Sequence, residues 1–183
     1  MKINGEKLKA LTEQAGATVE SLAAALPKSE GRKAAELAQK KVRNWLAGRD
    51  YPRCRPVDVT AMAGVLSCRP KDLVRFDSTL KYARSSWRKT DLVTDLIRGR
   101  RVDEADALLR FSPKRAAVMV RKALRAAIAD AEAADAAVER LFVTESRVDE
   151  GPTIKRFQPK DRGRSHPILK RTSHIVVGVE EAL

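Results

Sequence analysis

The sequence predicts an α+β fold whose first half is entirely helical, and three observations carry that reading. Apolar residues recur at helical spacing through the first half and into the second. From Leu141 the period falls to two, in two stretches on either side of a long insert. That insert holds seven basic side chains between Lys155 and Arg171 and almost nothing that could enter a core.

In the first half, Leu8, Leu11 and Ala15 form one apolar face, closed by Gly16. Thr18 suits the cap of a second helix containing Leu22, Ala25 and Leu26, which must stop before Pro27. A longer third helix runs from about Lys33 through Leu37, Val42, Trp45 and Leu46 to Gly48. Pro56 starts a fourth with Val59, Met62, Ala63 and Leu66 inside it, and Pro70-Lys71-Asp72-Leu73 opens a short fifth. Asp77-Ser78-Thr79 is a short polar stretch and marks the boundary, giving a helical extension over 1–77 and a second domain over 81–183.

The second domain begins with a short strand over 81–85. Leu92, Val93, Leu96 and Ile97 mark a helix ended by Gly99, and residues 103–109 form another. Ser112-Pro113 reads as the start of a long helix. That helix places Ala116, Val120, Ala123, Ala127 and Ala131 on one face and most of its cations elsewhere. Strands follow over 142–148 and 173–179, the second with Ile175, Val177 and Val179 on one side.

Between those strands, residues 152–172 fit a hairpin whose arms continue both strands and reverse near 160–163. Its cations are Lys155, Arg156, Lys160, Arg162, Arg164, Lys170 and Arg171, against the single acid Asp161. Eleven residues from Gly151 to Arg162 carry the tip about 35 Å out. A bare two-stranded ribbon is marginal in water, so this one calls for a polyanion around it. RNA suits the role, because arginine pairs bidentately with phosphate and stacks on bases, and folded RNA offers crevices for a thin ribbon.

Charge agrees with that partner. The chain has 183 residues, 37 of them Lys or Arg against 24 acids, a net charge of +13. Both halves are basic, +6 over 1–80 and +7 over 81–183. No secretory signal, transit peptide or membrane-spanning run is expected. Cys54 and Cys68 lack metal-ligand spacing and read as buried thiols in a reducing cytosol. No nucleophile motif, nucleotide loop or metal cluster stands out, so neither an enzyme nor a cofactor is expected.

The stretch from Val148 to Phe157, then Gly163-Arg164, then Ile168 to Ile175, closely resembles the universal large-subunit ribosomal protein twenty-two family in its bacterial form. Upstream, Ala83-Arg84-Ser85-Ser86, Asp95 to Gly99 and Phe111 to Ala117 fit the same family in order and spacing. The resemblance spans about 81–180. It implies a three-stranded antiparallel sheet packed with three helices and an extended hairpin. It also implies a structural constituent of the large subunit, in the cytoplasm, that binds large-subunit ribosomal RNA and aids its assembly. Its hairpin would line the nascent-peptide exit tunnel. The implied partners are that RNA, neighbouring large-subunit proteins and the passing nascent peptide, with no membrane.

Carried over residue by residue, the resemblance implies RNA contacts at Lys81, Arg84, Ser85 and Lys89, and at Lys114, Arg115 and Lys122. In the hairpin and its return arm it implies Lys155, Arg156, Lys160, Arg162, Gly163, Arg164, Lys170, Arg171, Thr172, Ser173 and His174. Four positions depart from the pattern, one of them Trp87, where the family tolerates small or polar residues and the ring is expected to pack against the extension. Asp130 stands where the family commonly has Asn, Lys160 replaces a usual Arg, and Asp161 a usual Ala. The acid at the tip should weaken phosphate attraction or pair with Arg162.

The extension resembles the helix-turn-helix repressor family in its helical order and in Val42 to Gly48, with a longer turn over 27–32. That resemblance implies nucleic-acid contact by Gln39, Lys40, Lys41, Arg43 and Asn44. The bland alternative is a helical add-on with a solvated basic face. The other alternative is a DNA-binding regulator fused to the ribosomal domain.

Overall fold

The computed structural model describes residues 2–27 and 34–182. The chain divides after Arg75 into two compact units.

The first unit begins with the two-residue strand β1 (Lys2–Ile3), paired antiparallel with Val74–Arg75. Helix α1 (Gly5–Gln14) follows, capped by Asn4, whose side chain accepts from the Glu6 and Lys7 amides. Helix α2 (Val19–Ala25) starts at Thr18 with a reciprocal pair, since the Thr18 hydroxyl accepts from the Ser21 amide and Ser21 Oγ from the Thr18 amide. Helix α3 is described as Ala34–Leu46, so its expected start at Lys33, and most of the turn over 27–32, lie outside the described residues. Helix α4 (Pro56–Leu66) begins at its proline. Pro70–Leu73, expected as a fifth helix, is a single 3₁₀ turn. The core is Leu8, Leu22, Val42, Trp45, Met62 and Leu73, all fully or almost fully buried. Gly5 lets α1 meet the end of α3, because a Cβ there would sit 2.7 Å from the Trp45 carbonyl oxygen. Cys54 and Cys68 are free and only half-buried, a correction to their expected burial.

The second unit is built on strand β2 (Val74–Ala83), which starts seven residues earlier than expected and runs straight through Asp77-Ser78-Thr79. These polar residues are strand residues because β2 pairs with the last strand from Phe76 to Ala83. Helices α5 (Trp87–Ile97) and α6 (Val102–Phe111) follow. Ser112 does not open the next helix. Its amide bonds to the Leu108 carbonyl and closes α6, while Pro113 holds it extended at φ −73°, ψ 124°. Helix α7 (Arg115–Glu132) begins only after Lys114.

Strand β3 (Leu141–Glu150), the hairpin strands β4 (Ile154–Pro159) and β5 (Ser165–Lys170), and strand β6 (Ser173–Glu181) complete the chain. Strand β6 is central, antiparallel to β2 on one side and β3 on the other. Three strands and three helices therefore make the body, in an α+β arrangement. Ile175, Val177 and Val179 of β6, Leu141 and Val143 of β3, and Val93 and Ile97 of α5 are buried in one core. Helix α7 contributes Ala116, Ala123, Ala127 and Ala131, small side chains that permit a close approach.

Candidate nucleic-acid interface

Three segments far apart in sequence meet at one groove of about 910 Å³ in the second unit. Arg84 and Lys89 come from the β2–α5 junction, Lys114 and Arg115 from the start of α7, and Lys170 and Arg171 from the return arm of the hairpin. Six cations line the groove and no acid does, over an apolar floor of Leu92, Ala116 and Leu169. Helices α5 and α7 both begin here, and at neither does the N-cap side chain accept a backbone amide. Their first-turn amides and dipoles therefore add to the positive field. A surface of this kind can hold several phosphates, bidentately at each arginine. Ser85 also lines it, its oxygen accepting from the buried Thr90 hydroxyl at 2.9 Å.

Several other cations of this unit are engaged within the protein. Arg121 reaches Asp106 on α6 through two bonds of 2.7 and 2.8 Å, with Arg125 at 3.5 Å. The hydrogen bonds from Arg121 hold the Asp106 carboxyl below the usual carboxylate range, against the opposing effect of burial. Arg98 donates twice to the Ser146 carbonyl, and Arg147 lies between Glu145 and Asp149. Asp95 pairs with Arg98. By contrast, none of the cations in the groove or hairpin is ion-paired among the described residues, which leaves their charge for a ligand.

The hairpin pairs in register from Ile154 opposite Lys170 to Pro159 opposite Ser165. Opposed residues share a face. Lys155 with Leu169 and Phe157 with Pro167 make a largely apolar face, while Ile154 with Lys170, Arg156 with Ile168 and Gln158 with His166 make the other. Phe157 is 73% exposed and Leu169 52%. Cation counting missed this apolar face, although the apolar residues at alternate positions 157 and 159, and 167 and 169, carry its signal. The tip is a 3₁₀ turn at Asp161–Gly163, with Arg162 and Gly163 in the left-handed region and the Lys160 amide donating to the Arg164 carbonyl at 2.7 Å. Asp161 and Arg162 form no ion pair among the described residues, so the expected internal pair is absent.

Lys81 and Lys122 are exposed, as are Lys155, Arg156, Lys160, Arg162, Gly163 and Arg164, but none of these lines the groove. Asp130 is likewise exposed, on α7. At three of the expected contacts the side chain is packed into the fold or bonded within it. Thr172 is buried and its hydroxyl donates to the Pro152 carbonyl at 2.7 Å. Ser173 is completely buried. His174 Nδ1 accepts the Tyr82 amide at 3.1 Å, and its ring meets the Tyr82 ring edge-on at 4.8 Å. That pairing steadies a bulge between Leu80 and Ala83, where Tyr82 takes the left-handed conformation at φ 57°.

The family model described as Ribosomal protein L22p/L17e matches residues 78–180. This chain belongs to that family. A relative from Clostridium novyi (strain NT), named large ribosomal subunit protein uL22, is 46% identical over 102 residues, which is 55% of this chain and 92% of the relative. Membership makes the L22-family chain a structural, non-enzymatic component of the large ribosomal subunit, within the cytoplasmic ribosome. Among the described residues no helix is long and apolar enough to cross a membrane. The match leaves residues 1–77 outside it.

In the first unit, Lys40 and Arg43 are exposed on α3 and Gln39 and Lys41 half-buried. Asn44 is committed internally, its amide nitrogen donating to the Tyr51 carbonyl at 2.8 Å. That bond uses one of the two N–H donors of its amide.

Proposed function

We propose that this L22-family chain grips large-subunit ribosomal RNA through the six-cation groove and the hairpin, and by joining separate RNA segments aids subunit assembly. The observation that carries the reading is the groove itself. Like charges from three distant segments repel one another, and no acid beside them offsets the cost. A phosphate-bearing partner removes that repulsion. The exposed hairpin, with one largely apolar face and one that mixes cations with isoleucines, fits threading between RNA walls, and its tip is proposed to line the exit tunnel beside the nascent peptide. The extension is proposed to add a further nucleic-acid contact through Lys40, Lys41, Arg43 and Gln39.

Tagged protein should sediment with large subunits in a sucrose gradient. Replacing Lys155, Arg156, Lys170 and Arg171 together with Gln should lower its incorporation. Full incorporation of that variant would count against the RNA-gripping role. For the tunnel, a photo-crosslinker at Arg162 should capture stalled nascent chains, and capture of RNA alone would remove the peptide from the proposal.

A further inference from the structure

The loop joining α3 to α4 combines a rigid backbone, an exposed aromatic ring and a cluster of arginines. Its backbone is held at both ends and in the middle. The Arg49 amide donates to the Asn44 carbonyl at 2.8 Å, and Asn44 Nδ2 donates to the Tyr51 carbonyl at 2.8 Å. The Nε1 of buried Trp45 donates to the Pro52 carbonyl at 2.8 Å, and the Arg55 amide donates to the carboxylate of buried Asp58 at 3.1 Å. On this fixed frame the Tyr51 side chain is 79% exposed. Arg49, Arg53 and Arg55 flank it, all exposed.

Charge is one-sided here. Residues 40–57 hold six cations, and their one acid, Asp50, is half-buried. Burial, reinforced by Asp58 and Asp50, pushes the Cys54 thiol up to about 12, so it stays neutral and does not offset the arginines at neutral pH.

We infer that the loop over 49–55 is a binding site for unpaired RNA, with Tyr51 stacking on a base and Arg49, Arg53 and Arg55 taking the flanking phosphates. A single-stranded nucleotide offers both a flat face and an adjacent anion, which together match this loop. An acidic peptide offers the anion without the face, and a duplex keeps its base faces covered by their neighbours. The held backbone reduces the ordering cost on binding. The inference rests on the reading that the extension touches nucleic acid, and it names a contact outside α3.

The test uses the full chain with Lys155, Arg156, Lys170 and Arg171 replaced by Gln in every arm, so that the hairpin does not mask the loop. The probes are a labelled oligouridylate and an RNA duplex of the same length, followed by fluorescence anisotropy. Tyr51→Ala should weaken oligouridylate binding about 5- to 150-fold and leave duplex binding unchanged, while Tyr51→Phe stays close to the parent. The triple variant Arg49→Gln, Arg53→Gln, Arg55→Gln should weaken binding of the single strand. If that triple variant weakens binding but Tyr51→Ala does not, or Tyr51→Ala weakens both probes equally, the stacking site is overturned while extension contact survives. If none of these variants, nor Lys40→Gln with Arg43→Gln, changes either affinity, both ideas fall together.

Discussion

Substituting Gly151 with Ala tests how the hairpin is anchored to the body. Gly151 follows β3 and Thr172 precedes β6, and the Gly151 amide donates to the Thr172 carbonyl at 3.0 Å. A Cβ on Gly151 would lie 2.6 Å from Thr172 Oγ1 and 3.2 Å from the Thr172 carbonyl carbon and oxygen. The hydroxyl must then rotate away, which breaks its 2.7 Å bond to the Pro152 carbonyl and costs about 0.5–1.5 kcal/mol. The backbone contact cannot be relieved by rotation, and overpacking of this kind costs about 1–3 kcal/mol. The expected loss is therefore about 1.5–4.5 kcal/mol at the hairpin root. If the root opens locally, amide exchange in β4 and β5 accelerates by about ten- to two-thousand-fold. Exchange resolved by segment suits the two-unit chain better than a single unfolding midpoint. Pairing Gly151→Ala with Thr172→Ala should cost less than the sum of the two, since the hydroxyl collision disappears. A Gly151→Ala protein within about 0.5 kcal/mol of the parent, with unchanged exchange, would refute this account of the anchor.

Replacing Lys114 and Arg115 with Gln should lower the slope of log affinity for ribosomal RNA against log salt by about 1.4–1.8, two phosphates' worth of counterion release. An unchanged slope would take these residues out of the interface. The Asp106 carboxyl is depressed in the folded state, chiefly by its hydrogen bonds from Arg121. Its stabilising contribution is thus present above the unfolded carboxylate range, near ~3.9, and is lost as pH falls through the lower folded value. Asp106→Asn should flatten that acid limb of an unfolding-versus-pH curve, and an undiminished limb would assign it to other groups. His174→Phe keeps a ring against Tyr82 but removes the acceptor of its amide. It should cost about 1 kcal/mol in thermal unfolding, with faster exchange at the Tyr82 amide, and normal protection there would show that the bulge does not need His174.

Much of this was legible in the sequence wherever a local signal was also the winning one. The alanine face of α7, the alternation at Ile175, Val177 and Val179, and the stop signals at Gly16, Gly48 and Gly99, all at positive φ, agree with the structure. Ser112-Pro113 misled because the Ser112 amide was already taken by the helix before it. Asp77-Ser78-Thr79 looked like a linker because polar residues can fill a strand once a partner such as β6 pairs with them, and no local pattern names that partner. The same limit applied to the site. Cations could be counted along the chain, but only the fold separates Lys114, which opens on the groove, from Arg121, which is bound to Asp106. The internal partners of Thr172 and His174, Pro152 and Tyr82, were likewise invisible in the sequence, because they are set by the packing at the hairpin root and by a bulge.

The small turn at the hairpin tip has a reach beyond its own three residues. Because neighbouring side chains along a strand alternate in direction, adding or removing one residue at Asp161–Gly163 would shift β5 against β4 by one step. Phe157 would then share its side of the ribbon with Ile168 or His166 instead of Pro167, and the makeup of both flanks would change. The loop that looks most expendable thus acts as the ruler that keeps two kinds of surface apart along the whole finger.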